Sequence, residues 1–436
     1  TSLISFDKTP ASVSRGTSLK SGPSMSFINF IRANASWLGA GFLLALLSSF
    51  GQTFFISIFS GALRNEFDLT HAEWGATYAL GTFSSAVVMV WAGGLSDQFR
   101  TRYLGVFVLL GLALSASFMM LNTSATLLIL VIFCLRFFGQ GMATHLSAVA
   151  MSRWFSAQRG RALSIANMGY ALGEASLPVA FVVLLAFVEW RLLWGVAALI
   201  AIFAAPVLFA LLKTERTPQS MAESDTSKGM GQRHWTRVQA LKHRLFWFMV
   251  PALLGPPAFG TAFFFQQVPF AAAKGWTHLE LVATFPFYTV FAIITTLGAG
   301  WMQDRFGTPK LIPLYQIPAI AAFAIFGLSV DPWHVIVGLF FMGMTSGAVA
   351  TWQNGFWAEF YGTQHLGALK AMAAAIMVLG SAIGPGLTGL FLDFGIGLST
   401  QYLWVAAYFV VSTGIMMIGV RRYRDQVPDA PQGVYN

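Results

Sequence analysis

Residues 131–142 read VIFCLRFFGQGM, an apolar run with one arginine, Arg136, at its centre. A charge at the middle of a membrane helix costs about 2.5–3.5 kcal/mol on insertion scales, so something must hold it there. Arg136 lies 11 residues into its run, about 16 Å at 1.5 Å per residue, against a hydrocarbon core about 30 Å thick. Glu174 lies 12 residues into the next run, which enters from the opposite face, and it is the only acid at the middle of any apolar run. An ion pair between them would lower the burial cost of both. Arg136 and Gln140 stand at i, i+4, and Asn167, Tyr170 and Glu174 at i, i+3, i+7, so each set occupies one helix face. Two polar stripes on neighbouring helices suggest a water-accessible cavity. An isolated guanidinium at that depth is a fork for carboxylate or phosphate, which makes a small organic anion the natural ligand. Glu174 could take a proton when the anion displaces it from Arg136, coupling one movement to the other. The plainer alternative is that both residues only brace the bundle.

The second half of the chain offers polar groups without a mid-span charge: Gln266 and Gln267 before Pro269, Tyr288, and Gln353-Asn354 beside Trp352. Gln52 is a similar group in the first run. Taken alone, a buried amide in a membrane helix is more often interhelical hydrogen-bond glue than a ligand. His145 reads as a polar core group. Pro251 and the stretch GPPAFG (255–260) should break the seventh helix, and such interruptions point to gates or sites in transporters. No Cys/His metal cluster, phosphate-cradling glycine loop or nucleophile triad is present, so neither enzyme chemistry, a metal nor a cofactor is expected.

Of 436 residues, 56% are hydrophobic and 10% charged, where a soluble domain carries about 25% charged residues. The chain therefore belongs in a bilayer. Twelve apolar segments are predicted as helices, since a backbone in lipid must satisfy its own hydrogen bonds. They are 37–60, 74–95, 103–121, 125–150, 162–188, 191–212, 245–272, 279–302, 310–330, 333–357, 366–392 and 401–420. The net charge of +9 does not call for nucleic acid. Of the 26 basic residues, 22 fall in the two tails and in every second loop, three (Arg64, Arg191, Lys274) fall on the other side, and Arg136 is the remainder. That bias puts both termini in the cytoplasm. The expected organisation is a cytoplasmic tail (1–36), a six-helix bundle (37–212), a cytoplasmic linker (213–244), partly helical near Trp235–Arg244, a second bundle (245–420) and a tail (421–436). No cleavable signal peptide is expected, because the first 36 residues lack an apolar h-region. The lone Cys134 excludes an internal disulfide.

The halves repeat. GGLSDQFRT (93–101) aligns with GWMQDRFGT (300–308) at an offset of 207, which also joins Gly160 to Gly367, Gly173 to Gly380 and Pro178 to Pro385. FGQTFF (50–55) matches FGTAFF (259–264) at an offset of 209. Weak internal symmetry between two six-helix halves is characteristic of many secondary transporters.

On these residues the chain resembles the major facilitator superfamily over 37–425. GGLSDQFRTR resembles the family's loop motif Gly-x-x-x-Asp-basic-x-Gly-basic-basic: Gly93, Asp97 and Arg102 match, while Gln98, Arg100 and Thr101 depart. The second copy keeps Asp304-Arg305-x-Gly307 and loses the later basic pair. RFFGQG resembles the family's fourth-helix motif with its intramembrane arginine. RWFSAQRGRALSIANMGYALG (153–173), with GLTGLFLD after Gly384-Pro385, is similar to the monocarboxylate and oxalate/formate porter branch. In antiporter-type exporters the fifth helix often carries Gly-Pro after a Gly-x-x-x spacing. Here Gly169-x-x-x-Gly173 is followed by Glu174, which argues against a drug/proton antiporter.

The resemblance implies an all-α membrane protein, two pseudo-symmetric six-helix bundles of the major facilitator fold, and alternating access with substrate at the midplane. It also implies cavity-lining positions in the first, fourth, seventh and tenth helices, which raises Gln52, Gln140, Gln266, Gln267, Gln353 and Asn354 as substrate contacts beside Arg136, Tyr170 and Tyr288. A gate of Asp97, Arg102, Arg153, Asp304 and Arg305 is implied, with Asp97 holding a neighbouring helix N-terminus and a basic residue such as Arg153 or Arg159. The expected activity is secondary transport of a small monocarboxylate-like anion, with protons as the coupling ion through Glu174, by a monomer in the plasma (bacterial inner) membrane. The rivals are a proton-driven exporter of a drug or larger metabolite, an uncoupled facilitator, and a receptor or scaffold without flux.

Overall fold

A computed structural model describes residues 27–155, 159–214, 228–362 and 364–427. Residues Thr1–Ala35 form a unit of their own, of which the helix Phe27–Ala33 is described. Among the described residues eleven helices are long and apolar enough to cross a membrane, and a bent pair, Ala35–Gly51 and Thr53–Phe67, completes twelve if counted as one span. We number the spans 1–12 in chain order. Spans 2–6 are His71–Ala92, Thr101–Leu121, Ala125–Met151, Arg161–Leu185 and Trp190–Leu211. Spans 7–12 are Arg244–Phe265, His278–Gln303, Thr308–Leu328, Pro332–Tyr361, Met372–Asp393 and Leu398–Gln426.

The breaks fall where the chemistry of each stretch dictates, and one expectation is overturned. Span 7 is one unbroken helix despite carrying Pro251, Pro256 and Pro257. Proline lacks the N–H that would bond the carbonyl four residues earlier, so Pro256 strands the Ala252 carbonyl. That carbonyl is taken by the Tyr315 hydroxyl at 2.5 Å and the Gln316 amide at 2.9 Å, both from span 9. The Tyr408 hydroxyl from span 12 donates to the Pro251 carbonyl at 2.8 Å. A neighbouring helix has thus re-satisfied the carbonyl that Pro256 frees, which is how membrane helices tolerate proline.

The interruption lies in span 1 instead. Its first segment tightens into a 3-10 turn over Ser48–Gly51, and Gln52 is extended (φ −88°, ψ 155°) before the helix resumes at Thr53, bent by 46°. Past the break, the Phe55 N–H bonds Gln52 O rather than Gly51 O, so the Gly51 carbonyl points out of the ladder. Glycine is required there: a Cβ on Gly51 would run into the Leu135 carbonyl, and one on Gly139 would sit 2.6 Å from the Gly51 Cα. Span 4 answers with a π segment, Arg136–Ala143, and span 10 carries another, Val349–Gln353. Such π turns are frequent at functional sites, and here each half has one in its fourth span.

The linker docks on the second half. Thr236 and Gln239 form a capping box that starts the helix Arg237–Lys242. The Trp235 N–H donates to the Tyr361 carbonyl at 3.0 Å.

The two halves meet towards the span ends opposite the basic loops. Spans 2 and 11 cross closely: a Cβ on Gly75 would lie 2.8 Å from the Pro385 carbonyl. At the end of that seam the Asp393 carboxylate accepts from the first N–H groups of span 2, His71 at 3.1 Å and Ala72 at 2.7 Å. Span 1 is tied to span 7 and to the helix Gln267–Lys274 that follows it: the Gln267 amide donates to Ser57 Oγ at 2.5 Å and Phe54 O at 3.2 Å, while Ser57 also donates to Phe264 O at 2.7 Å. A carboxylate on a helix N-terminus contributes about 1 kcal/mol. Asp393→Ala should therefore shift the balance between closed and open seams about fivefold towards open. Spin labels at Asn65→Cys and Phe394→Cys, with Cys134→Ser, would read the gain as a larger long-distance population. An unchanged distribution would show that the glycine seam alone holds the halves.

Candidate functional site

Between the halves lies a cavity of about 270 Å³. Its first-half wall is Gln52, Thr53 and Phe54 at the span 1 break, Gln140 on span 4, and Tyr170 and Glu174 on span 5. Span 5 reaches this position because Gly169 and Gly173 let it lie directly on span 1, where added Cβ atoms would strike the Phe42 carbonyl and the Ser49 hydroxyl. The next residue, Glu174, is then delivered to the cavity edge. Its carboxylate is buried and doubly held. Oε1 accepts from the Tyr170 hydroxyl at 3.3 Å, and Oε2 accepts from the Thr289 hydroxyl at 3.0 Å. Thr289 is on span 8, so this bond joins one half to the other at the level of the cavity. Glu174 is also the one charged residue among those lining it.

Arg136 and Glu174 are not paired: no carboxylate lies within ion-pair reach of Arg136 among the described residues. The guanidinium is 1% exposed and does not line the cavity. Its Nη1 donates to the stranded Gly51 carbonyl at 3.1 Å and to Thr53 Oγ1 at 3.4 Å, its carbon lies 5.4 Å from the Tyr78 ring centroid, and Thr53 shares a 2.6 Å hydrogen bond with the Tyr78 hydroxyl. A broken helix, a hydroxyl and an aromatic face hold the charge, in place of a carboxylate. The cation thus stands one side chain behind the cavity wall, with Nε lacking a partner among the described residues. The π segment beginning at Arg136 separates it from Gln140, which does reach the cavity.

The cavity collects Gln52, Gln140, Tyr170, Glu174 and Tyr288, the last bonded to Ser346 at 2.9 Å. It does not collect Gln266, Gln267 or Gln353. Gln266 donates to Thr388 at 3.0 Å, Gln267 is in the seam with Ser57 and is met by His278 at 3.0 Å, and Gln353 donates to Tyr315 at 3.3 Å. These amides are spent on helix contacts because each lies beside another helix's hydroxyl or carbonyl. The side chain of Asn354 lies outside the described residues, as do those of Asp97, Arg153 and Asp304. Of the remaining gate candidates, Arg102 donates to the Phe209 carbonyl at 3.2 Å and stacks 3.6 Å over its ring, within the first half. Arg305 lies over Trp301 and Phe306. Sequence reasoning missed Thr289, whose one cue was its place next to Tyr288. It also missed that His145 holds the Gly93 carbonyl at 3.1 Å and Ser96 at 3.3 Å, at the start of the loop motif.

The family model described as Major Facilitator Superfamily matches residues 41–385. Among curated relatives, monocarboxylate transporter 13 of Bos taurus is 23% identical over 396 residues, covering 88% of this chain and 87% of that protein. The probable sulfoacetate transporter SauU of Cupriavidus necator is 25% identical over 196 residues, covering 44% and 45%. Among solved structures, a bacterial homologue of the human lysosomal transporter Spinster, in an inward-facing and unoccupied conformation, superposes with a TM-score of 0.68 at 16% identity. The superposition covers 94% of this chain and 100% of that one.

Proposed function

The chain belongs to the major facilitator superfamily of membrane transporters, and from that premise we propose that it moves a small organic anion together with one proton. The observation that carries the reading is the placement of two opposite charges about one cavity: Glu174 on its wall, Arg136 one side chain behind it. In a low-dielectric site an unbalanced charge is costly. With Arg136 cationic and Glu174 ionised, the empty site is neutral. An incoming anion unbalances it, and a proton on Glu174 restores neutrality. The loaded site therefore holds cation, anion and a neutral acid, and both cargoes leave together.

Glu174 also ties cargo to motion. Its Oε2 is the acceptor for Thr289 across the halves, so proton and anion act on the contact that must break and reform as the halves rock. The bias of the basic loops supports both termini lying in the cytoplasm, and on that orientation the seam of Asp393, Gln267 and Ser57 is the outer one and the described conformation is inward-facing. The plasma membrane is the proposed location. The names of the relatives fit: a monocarboxylate transporter and a probable sulfoacetate transporter are both named for anions.

The test is uptake of a panel of small organic anions into proteoliposomes, acid outside, beside protein-free vesicles. The proposal expects one or more anions to accumulate, and the accumulation to vanish when an ionophore collapses the pH gradient. Uptake of every anion at the protein-free rate would refute it.

A further inference from the structure

The two walls of the cavity differ in what they leave free. On the first-half wall, the side chains of Gln52 and Gln140 make no hydrogen bond among the described residues, so their amides face the cavity with donors to spare. Both Glu174 oxygens already have donors, Tyr170 and Thr289. On the second-half wall most hydroxyls are used internally, Tyr288 with Ser346 at 2.9 Å and Thr345 on the Phe341 carbonyl at 3.3 Å, and Thr261 is the exception among the described residues. Besides that one hydroxyl, what the wall offers a ligand is Phe264, Phe323, Met342 and Met377. Polar groups that are already paired do not compete for cargo, whereas unpaired amide donors and open apolar surface do.

We propose that the cargo is amphipathic: one carboxylate read by the Gln52 and Gln140 amides at the first-half wall, and an apolar aryl or branched body laid on the second-half wall. This rests on the anion reading above and narrows it. Short hydroxy acids would leave the aromatic and thioether wall wet, and dicarboxylates would bring a second charge against apolar side chains. Methionines suit such a wall, because an unbranched thioether adapts to bodies of different shape and makes favourable contacts with rings. Each methylene buried there should tighten binding about fourfold.

The experiment compares acetate, glycolate, malonate, phenylacetate and phenethylamine as stabilisers of the purified full chain in thermal unfolding, where a ligand of the folded state raises the transition by mass action. Phenylacetate is expected to bind at least about tenfold more tightly than acetate or glycolate, with malonate weaker still. Met342→Asn should remove about tenfold of the phenylacetate affinity and leave acetate within about twofold. Met377→Gln serves the same purpose should the first variant not fold. Acetate, glycolate or malonate binding as tightly as phenylacetate would overturn the amphipathic cargo and leave the anion reading standing. Phenethylamine binding in place of phenylacetate, or no carboxylate binding at all, would overturn both.

Discussion

Glu174→Gln should abolish proton-driven accumulation while leaving anion exchange intact. For one proton carried with each anion, each unit of pH difference is worth about 1.4 kcal/mol, or roughly tenfold accumulation. With glutamine at this position the amide oxygen can still accept from Thr289 while its NH2 donates to the Tyr170 hydroxyl oxygen, so the contact between halves persists. What is lost is the group that takes the proton. The variant's empty site carries an uncompensated Arg136, and the anion alone neutralises it. Anion affinity should therefore rise, become independent of pH, and support counterflow at near wild-type rates. The measurement is paired: gradient-driven uptake and equilibrium counterflow in the same vesicles. Retention of about tenfold accumulation per pH unit would remove Glu174 from the coupling.

Arg136→Gln should have the second large effect, on affinity. At an effective dielectric of about 20, a unit charge about 8 Å from the anion is worth about 2 kcal/mol, and the cation supplies that field from behind the wall. A loss of one to two orders of magnitude in anion affinity is expected. Glutamine can still donate to the Gly51 carbonyl, so the variant should fold where Arg136→Ala would leave that carbonyl and the space around it unfilled. Arg136→Lys separates two accounts of the arginine. Set behind Thr53 and absent from the cavity wall, the guanidinium acts on cargo as a charge and not as a fork. Lysine supplies the same charge as a compact ammonium, so affinity should recover to within about fivefold. A lysine variant as weak as the glutamine one would mean that the fork itself reaches the anion at some stage of the cycle.

Much of this was legible in the chain. The apolar segments follow from composition and register, and helices appear over them with ends shifted by several residues, the first as a bent pair. Glu174, Tyr170 and Gln140 were legible because period and depth place a residue on a face of a known helix. The partner of Arg136 was not. Opposite charges at equal depth suggested a pair, but the chain has a cheaper solution that depends on backbone geometry: Gln52 leaves the helix, and the freed Gly51 carbonyl receives the guanidinium. Nothing in FGQT announces that break, since glycine and glutamine both occur inside membrane helices. The prolines of span 7 misled for the converse reason. They mark missing donors, but whether the helix breaks depends on donors such as Tyr315 and Gln316 arriving from span 9. Gln266, Gln267 and Gln353 show the same limit: an amide's role depends on which hydroxyl or carbonyl packs beside it, and that is a tertiary fact.

The central claim is that the site stays neutral through the cycle, one anion with one proton. It is tested most directly by imposing a membrane potential of about 100 mV on proteoliposomes without a pH gradient. Moving one net charge through that potential is worth about 2.3 kcal/mol, close to a fiftyfold bias. The account predicts that anion flux is unchanged by the potential in either direction, and that each anion is accompanied by one proton on an internal pH dye. A flux that follows the sign of the potential, with the dye silent, would contradict it.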